Sequence, residues 1–364
     1  MNSSNKDASV TIVDRPDGDA MDALCETLHA LALETDRSGD WPRRQLEVCG
    51  RAGVFRWFMP TEAGGFGWDA CDQTRGYLRL AAADLTTTFV ITQRMGACRR
   101  IESSENASPA KHWLSGLVDG SQFATVGISH LTTSRQHVRR PVLTAEEDGD
   151  DFVLSGYSPW VTGGAFADVI VVGATLPDER QLLAAVPGER EGVIAGKGMP
   201  LIALSASATD RVDFDNVRVY RHELIAGPVP DVMSQGVGAA SGGLQTSTLA
   251  IGLASAAIQF MQQEAEQRDD LRSPTDQLVA EVNALETDLL RMANGDDVCS
   301  TADLRGRANR LVLRATQAAL TTAKGAGFVQ GHPAGRWCIE ALFFLVWSCP
   351  QQSRPSLRTG GHSA

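Results

Sequence analysis

Trp160 and Thr162 stand two residues apart in the β-branched stretch Phe152 to Asp168, so on a strand both side chains leave the same face. An indole and a hydroxyl on one face can wall a flat ligand and hold its polar edge. They are equally a core tryptophan beside a strand threonine. Ser129 and His130 form a second candidate pair. An imidazole suits proton transfer near neutral pH, although a hydrogen-bonded structural histidine is the commoner use. His332, between Gly331 and Pro333, offers the same chemistry a second time. Arg135, Arg139 and Arg140 fall within six residues and could meet a phosphate or simply face solvent. The seven cysteines are scattered without C-x-x-C spacing or a histidine cluster, so no metal site is expected and free thiols in a reducing compartment are.

These residues need elements to position them, and the periodicity divides the chain into three stretches. Residues 1–120 read as helical: Leu24, Leu28 and Leu31 recur at three- and four-residue spacing, and Ala/Leu-rich segments follow around Tyr77 to Ala83 and Thr88 to Cys98. Residues 121–222 change period. Strands are predicted over Phe123–Ser129, Val142–Ala145, Asp151–Val161, Asp168–Thr175, Gln181–Val186 and Asp210–Val219, with a hairpin turn at Glu147 to Asp150. Residues 223–364 return to helices, over Leu244–Arg268, Asp276–Met292, Ala302–Ala323 and Ala334–Trp347, with Ser300 and Asp303 at helix-start spacing. The fold class expected is α+β and multidomain: an N-terminal helical domain, a middle β-barrel or sandwich, and a C-terminal four-helix bundle.

With 44 acidic against 33 basic residues, the 364-residue chain carries a net charge of −11 and offers no basic face for nucleic acid or an anionic membrane. The apolar run Ala341 to Trp347 is far short of the roughly 20 residues that span a bilayer. Met1 to Ser9 are polar and do not read as a signal peptide, so a cytoplasmic protein is expected.

Several motifs resemble the acyl-CoA dehydrogenase family. Ala52 to Gly67 is similar to that family's helix end, Pro-Glu pair and glycine turn. Phe152 to Asp168 resembles its β-domain stretch, with Trp160 and Thr162 in register, and Asp213 to Val219 its closing strand. The resemblance implies bound FAD, with Trp160 against the flavin ring and the hydroxyls of Thr162 and Ser129 at its edge. It implies that Arg268 reaches the cofactor pyrophosphate of a neighbouring subunit, and hence a homodimer or homotetramer. It also places Gly325 in a cofactor-side glycine turn, Lys324 to Phe328, whose usual first glycine is here Lys324.

The same resemblance implies an acyl thioester substrate, carried by CoA or an acyl carrier protein, and hydride transfer to flavin. An electron-transfer flavoprotein or dioxygen would then reoxidise the cofactor. That chemistry needs a carboxylate to remove the α-proton. The two positions where the family carries it align with Ser348 and with Gly242 beside Gly243, and His130 is the candidate substitute base. The leading expectation is a FAD-dependent oxidoreductase of acyl-CoA dehydrogenase type. The alternatives are a flavin-dependent monooxygenase of the same fold, which needs no such base, and a non-catalytic scaffold with a degraded flavin site.

Overall fold

A computed structural model describes residues 11–132, 141–235 and 243–347. The first stretch forms α1 (Asp19–Ser38), α2 (Arg43–Arg51), α3 (Ala70–Ala83), α4 (Leu85–Glu102) and α5 (Ala107–Asp119). The leucine stripe of α1 faces inward, burying Met21, Leu24 and Leu28. Asp69, Asp84 and Asn106 start α3, α4 and α5 by accepting the backbone N–H of Asp72, Thr87 and Ser108. Threonines and apolar residues surround α4, which is accordingly buried on nearly every side. Arg94 on this helix is also buried, stacked over the Phe55 ring at 3.7 Å and donating to the carbonyls of Leu117 and Gln122.

The middle stretch contains β1 (Ala124–Gly127), the short α6 (Ser129–Thr132), β2 (Leu143–Asp148), β3 (Asp151–Val161), β4 (Val169–Thr175), β5 (Gln181–Pro187), β6 (Val193–Ala195) and β7 (Asp210–Val219). β8 (Leu224–Val229) completes a mixed sheet in the order β6-β7-β3-β2-β4-β5-β8, with β1 parallel to β4. The predicted hairpin is present: Asp148 pairs with Asp151, and Gly149 takes φ 67 between them. Three readings differ from the structure. The strand expected over 123–129 stops at Gly127 and turns into α6. β6 was not expected because only three residues separate Gly192 from Gly196. β8 lies beyond residue 222, and its Gly227-Pro228 pair reads as a breaker rather than an edge strand.

The third stretch forms α7 (Gln245–Ala265), α8 (Arg272–Ala293), α9 (Thr301–Ala323) and α10 (Pro333–Ala341). Ser300 accepts the Asp303 N–H at 3.1 Å, as its spacing predicts. The helix expected to run to Trp347 stops at Ala341 and tightens into a 3₁₀ turn over Leu342–Leu345. α7 is buried nearly all round, and its Gly252 lets α3 approach closely: a Cβ there would lie 2.6 Å from the Leu78 carbonyl oxygen. Through this contact the first and third stretches share one continuous apolar core, while the sheet interior forms another. Each Leu or Ile fully buried there contributes roughly 2 kcal/mol by removing apolar surface from water. No helix among the described residues is long and apolar enough to cross a membrane.

Candidate functional site

Where α4, the sheet and the bundle meet lies a cavity of about 900 Å³. α4 supplies one wall through Phe89, Thr92, Gln93, Gly96, Arg99 and Arg100, which recur every three or four residues and so share a helix face. Val126, Ile128 and Ser129 come from β1 and the turn into α6, Trp160 and Thr162 from the end of β3. The loop Leu201 to Thr209 closes a third side, the start of α7 brings Gln245 and Thr246, and the segment after α10 brings Phe343 and Trp347.

The loop is held in an uncommon backbone conformation. Leu204 and Ala208 take φ 58 and 47, a region costly for side-chain-bearing residues and found disproportionately at functional sites. That turn lines up three hydroxyls: Ser207 Oγ lies 2.8 Å from Thr209 Oγ1, which lies 2.9 Å from Thr162 Oγ1. Thr162 is also fixed through its carbonyl, which accepts the Thr125 hydroxyl at 2.7 Å. Ser129 Oγ is buried without a hydrogen-bond partner, and Trp160 remains 46% exposed on the cavity wall. A wall of this kind fits a flat heteroaromatic ring, because the indole covers apolar surface and the hydroxyls satisfy a polar edge.

The structure thus brings Ser129, Trp160 and Thr162 to one cavity. It does not bring His130 there. Its Nε2 lies 2.8 Å from the Gly173 carbonyl oxygen and donates to it, its ring is largely buried, and burial pulls its pKa below the ordinary histidine value. His332 is a helix cap, its Nδ1 accepting the Ala334 N–H at the start of α10. Arg268 lies away from the cavity at the end of α7, donating to the Thr322 carbonyl at 2.9 Å and flanked by Glu264 and Asp270 at 3.5 and 3.7 Å. Gly325 sits in a 3₁₀ turn, Lys324–Phe328, with open space where a Cβ would stand. Lys324 itself takes φ 54, the strained geometry a glycine would accept freely. Ser348, Gly242, Arg135, Arg139 and Arg140 lie outside the described residues.

Sequence reasoning missed the α4 wall. Arg99 and Arg100 stand in the last turn of α4, where cations complement a helix C-terminus. The available signal was their spacing: Thr92 or Gln93, Gly96 and the arginines share one face. Arg99 donates to the Gln73 side chain and lies 5.7 Å from the Phe58 ring centre. Arg100 Nη1 donates to the Gly96 carbonyl at 2.8 Å, and burial, aided by Arg99, lowers its pKa to about 10.

The acyl-CoA dehydrogenase N-terminal domain family model matches residues 19–121. The mitochondrial short-chain specific acyl-CoA dehydrogenase of Mus musculus is 22% identical over 256 residues, which are 68% of this chain and 61% of the relative. The chain therefore spans about three-fifths of the length of that relative. Butyryl-CoA dehydrogenase of Megasphaera elsdenii superposes with a TM-score of 0.78 at 17% identity, over 91% of this chain and 94% of that one. FMN-bound TdsC, a dibenzothiophene monooxygenase of Paenibacillus sp. A11-2, superposes with a TM-score of 0.76 at 18% identity, over 88% and 91%. The resemblance to the acyl-CoA dehydrogenase family thus holds in the sequence of the N-terminal stretch and in the fold of most of the chain.

Proposed function

We propose that this chain, having the acyl-CoA dehydrogenase fold, is a flavin-dependent oxidoreductase of the oxygen-using kind, a monooxygenase rather than an α,β-dehydrogenase. The observation that carries this reading is the chemistry of the cavity wall. Among the described residues it presents hydroxyls, amides, aromatic rings and two arginines, but no Asp, Glu, His, Cys, Lys or Tyr that could accept a proton. Neither Ser348 nor Gly242, at the two positions matched to the family's base, is a carboxylate. Removing an α-proton requires a positioned base, and an unassisted serine is not one. Oxygen insertion needs no base at an α-carbon: one atom of dioxygen enters the substrate and the other leaves as water, with two electrons from a separate reductase and two protons from solvent. The likenesses to TdsC and to butyryl-CoA dehydrogenase are similar in extent, so both support the fold and neither chooses between the two reactions.

Bound flavin, as FMN or FAD, would supply the two-electron and dioxygen chemistry. Ser129 would donate to the polar edge of the ring, Trp160 would cover its apolar body, and Thr162 would hold the edge through the hydroxyl row it shares with Thr209 and Ser207. His130 is better cast as a positioning residue, its bond to Gly173 tying the turn that carries Ser129 to β4. Arg268 and Gly325 would meet cofactor only across a homo-oligomer contact, which the exposed Phe328 and Val329 of the same turn support.

The test supplies the purified protein with flavin, a flavin reductase and NADH, and follows oxygen uptake against product formation. In parallel, the flavin spectrum is followed anaerobically with a panel of acyl-CoA thioesters. Substrate-dependent oxygen incorporation is the expected result. Anaerobic bleaching by a thioester would return the reading to a dehydrogenase, and failure to retain any flavin would leave the scaffold.

A further inference from the structure

We propose that Gln245 orients the substrate: its amide takes the hydrogen of the Tyr77 hydroxyl on one side and donates to a carbonyl oxygen of the substrate on the other. The inference rests on the functional reading above only in taking this cavity as the place of reaction. Gln245 opens α7 and stands seven residues, about two turns, before Gly252, so it shares the face of α7 that α3 approaches. It is half-buried and lines the cavity, and among the described residues no hydrogen bond of ordinary length holds its side chain. Beside it lies Tyr77 of α3, 5% exposed, its ring stacked on Phe58 at 4.5 Å. Burial pushes the pKa of this phenol up, so at neutral pH the hydroxyl keeps its hydrogen. Gln245 is close enough to act on Tyr77 Oη but stops short of a hydrogen bond, which leaves that buried oxygen without a partner.

An unpaired buried hydroxyl is costly, and its surroundings offer one remedy. Of the other side chains that act on it, Arg99 carries only donors and Cys98 at best a weak acceptor. The Gln245 carbonyl is therefore the group that can take the phenol's hydrogen. With Oε1 turned to Tyr77, the planar carboxamide directs Nε2 and its two hydrogens the other way, toward the cavity. Among the described lining residues no Asp or Glu competes for them. The ligand class that follows is a carbonyl compound whose apolar body Phe89, Phe343 and Trp347 would enclose. Tyr77 touches no part of that ligand. It is a positioning residue, and the phenol, amide and carbonyl form one chain of hydrogen bonds in which each supports the next.

The experiment uses the full-length protein reconstituted with FMN and two probes of one shape: 1-indanone, carrying carbon-13 at its carbonyl, and indane, which lacks the oxygen. Difference infrared spectroscopy should place the carbonyl stretch of the bound ketone below its position in hexane; a band at the hexane position overturns the inference without any variant. In calorimetric titrations Gln245→Leu should weaken 1-indanone about fivefold, the worth of one neutral hydrogen bond, and leave indane within twofold. The same substitution should raise the carbonyl frequency. Tyr77→Phe should weaken the ketone about threefold, spare indane, and add nothing in the Gln245→Leu background. An unchanged frequency in Gln245→Leu, equal losses of both probes, or no binding of 1-indanone overturns the inference. Loss of FMN affinity in Gln245→Leu with ketone binding intact also overturns it, by assigning the amide to the cofactor. The expected carbonyl shift without oxygen incorporation would sink the functional reading alone; oxygen incorporation without the shift would sink this one alone.

Discussion

Replacing Glu340 by Gln should remove a loss of stability that the parent protein suffers as pH rises. Glu340 lies on α10, 5% exposed, with Arg336 Nε at 3.6 Å one turn earlier. Burial pushes its carboxyl from the ordinary 4.5 up to about 7, opposed by Arg336 and reinforced by Asp84 and Asp36. Asp84, which caps α4, is itself raised by burial, and His29, near both Asp84 and Arg336, is lowered by burial. Because the folded-state value exceeds the unfolded one, the folded chain holds this proton more tightly. The associated stability is complete below about pH 4.5 and is lost as pH climbs through about 7. At about 1.4 kcal/mol per pH unit, that interval sets a ceiling of about 3 kcal/mol, of which about 2 falls between pH 5 and 8. Urea unfolding of parent and variant at those two pH values isolates the effect, since other titrating groups are common to both. The variant should gain about 2 kcal/mol on the parent at pH 8 relative to pH 5. A difference that stays flat with pH, or that favours the parent at high pH, would show Glu340 ionised against Arg336 and refute the reasoning. The outcome matters for the site, because Ile339, Leu342 and Phe343, beside Glu340 in the chain, line the cavity.

Lys324→Gly should stabilise the protein by about 1 kcal/mol in chemical denaturation, since it relieves a positive-φ backbone at some entropic cost in the unfolded chain. Gly252→Ala should do the opposite, lowering the midpoint by an amount corresponding to about 2 kcal/mol, because the new methyl group meets the α3 backbone rather than a side chain that can move aside. Ser129→Ala should weaken flavin retention about tenfold, the worth of one buried hydrogen bond, with the melting temperature of the flavin-free protein little changed; unaltered flavin affinity by equilibrium dialysis would remove Ser129 from the site.

The strands and helices with long, regular patterns were legible in the sequence because one face of each is buried. β3 over Asp151–Val161 and β7 over Asp210–Val219 have the bounds their alternation predicts. Trp160 and Thr162 were legible for a related reason, since a two-residue offset on a strand fixes a shared side. What stayed hidden depends on how separate elements meet. Spacing puts Gln93, Gly96 and the arginines of α4 on one face, but nothing local says that this face looks into a cavity rather than onto a neighbouring element. The fate of His130 was hidden likewise: its partner, the Gly173 carbonyl, lies 43 residues away across the sheet.

The row formed by Ser207, Thr209 and Thr162 has a property that its fixed oxygen positions conceal. Either oxygen can donate in each of its two contacts, so the three O–H bonds can point one way along the row or, after rotation about their C–O bonds, the other. No heavy atom needs to move. A wall built this way can offer a hydrogen to a ligand edge that needs a donor and a lone pair to one that needs an acceptor. A ring whose edge gains or loses protons as electrons come and go could therefore stay equally well held in both states, with neither favoured by its mooring.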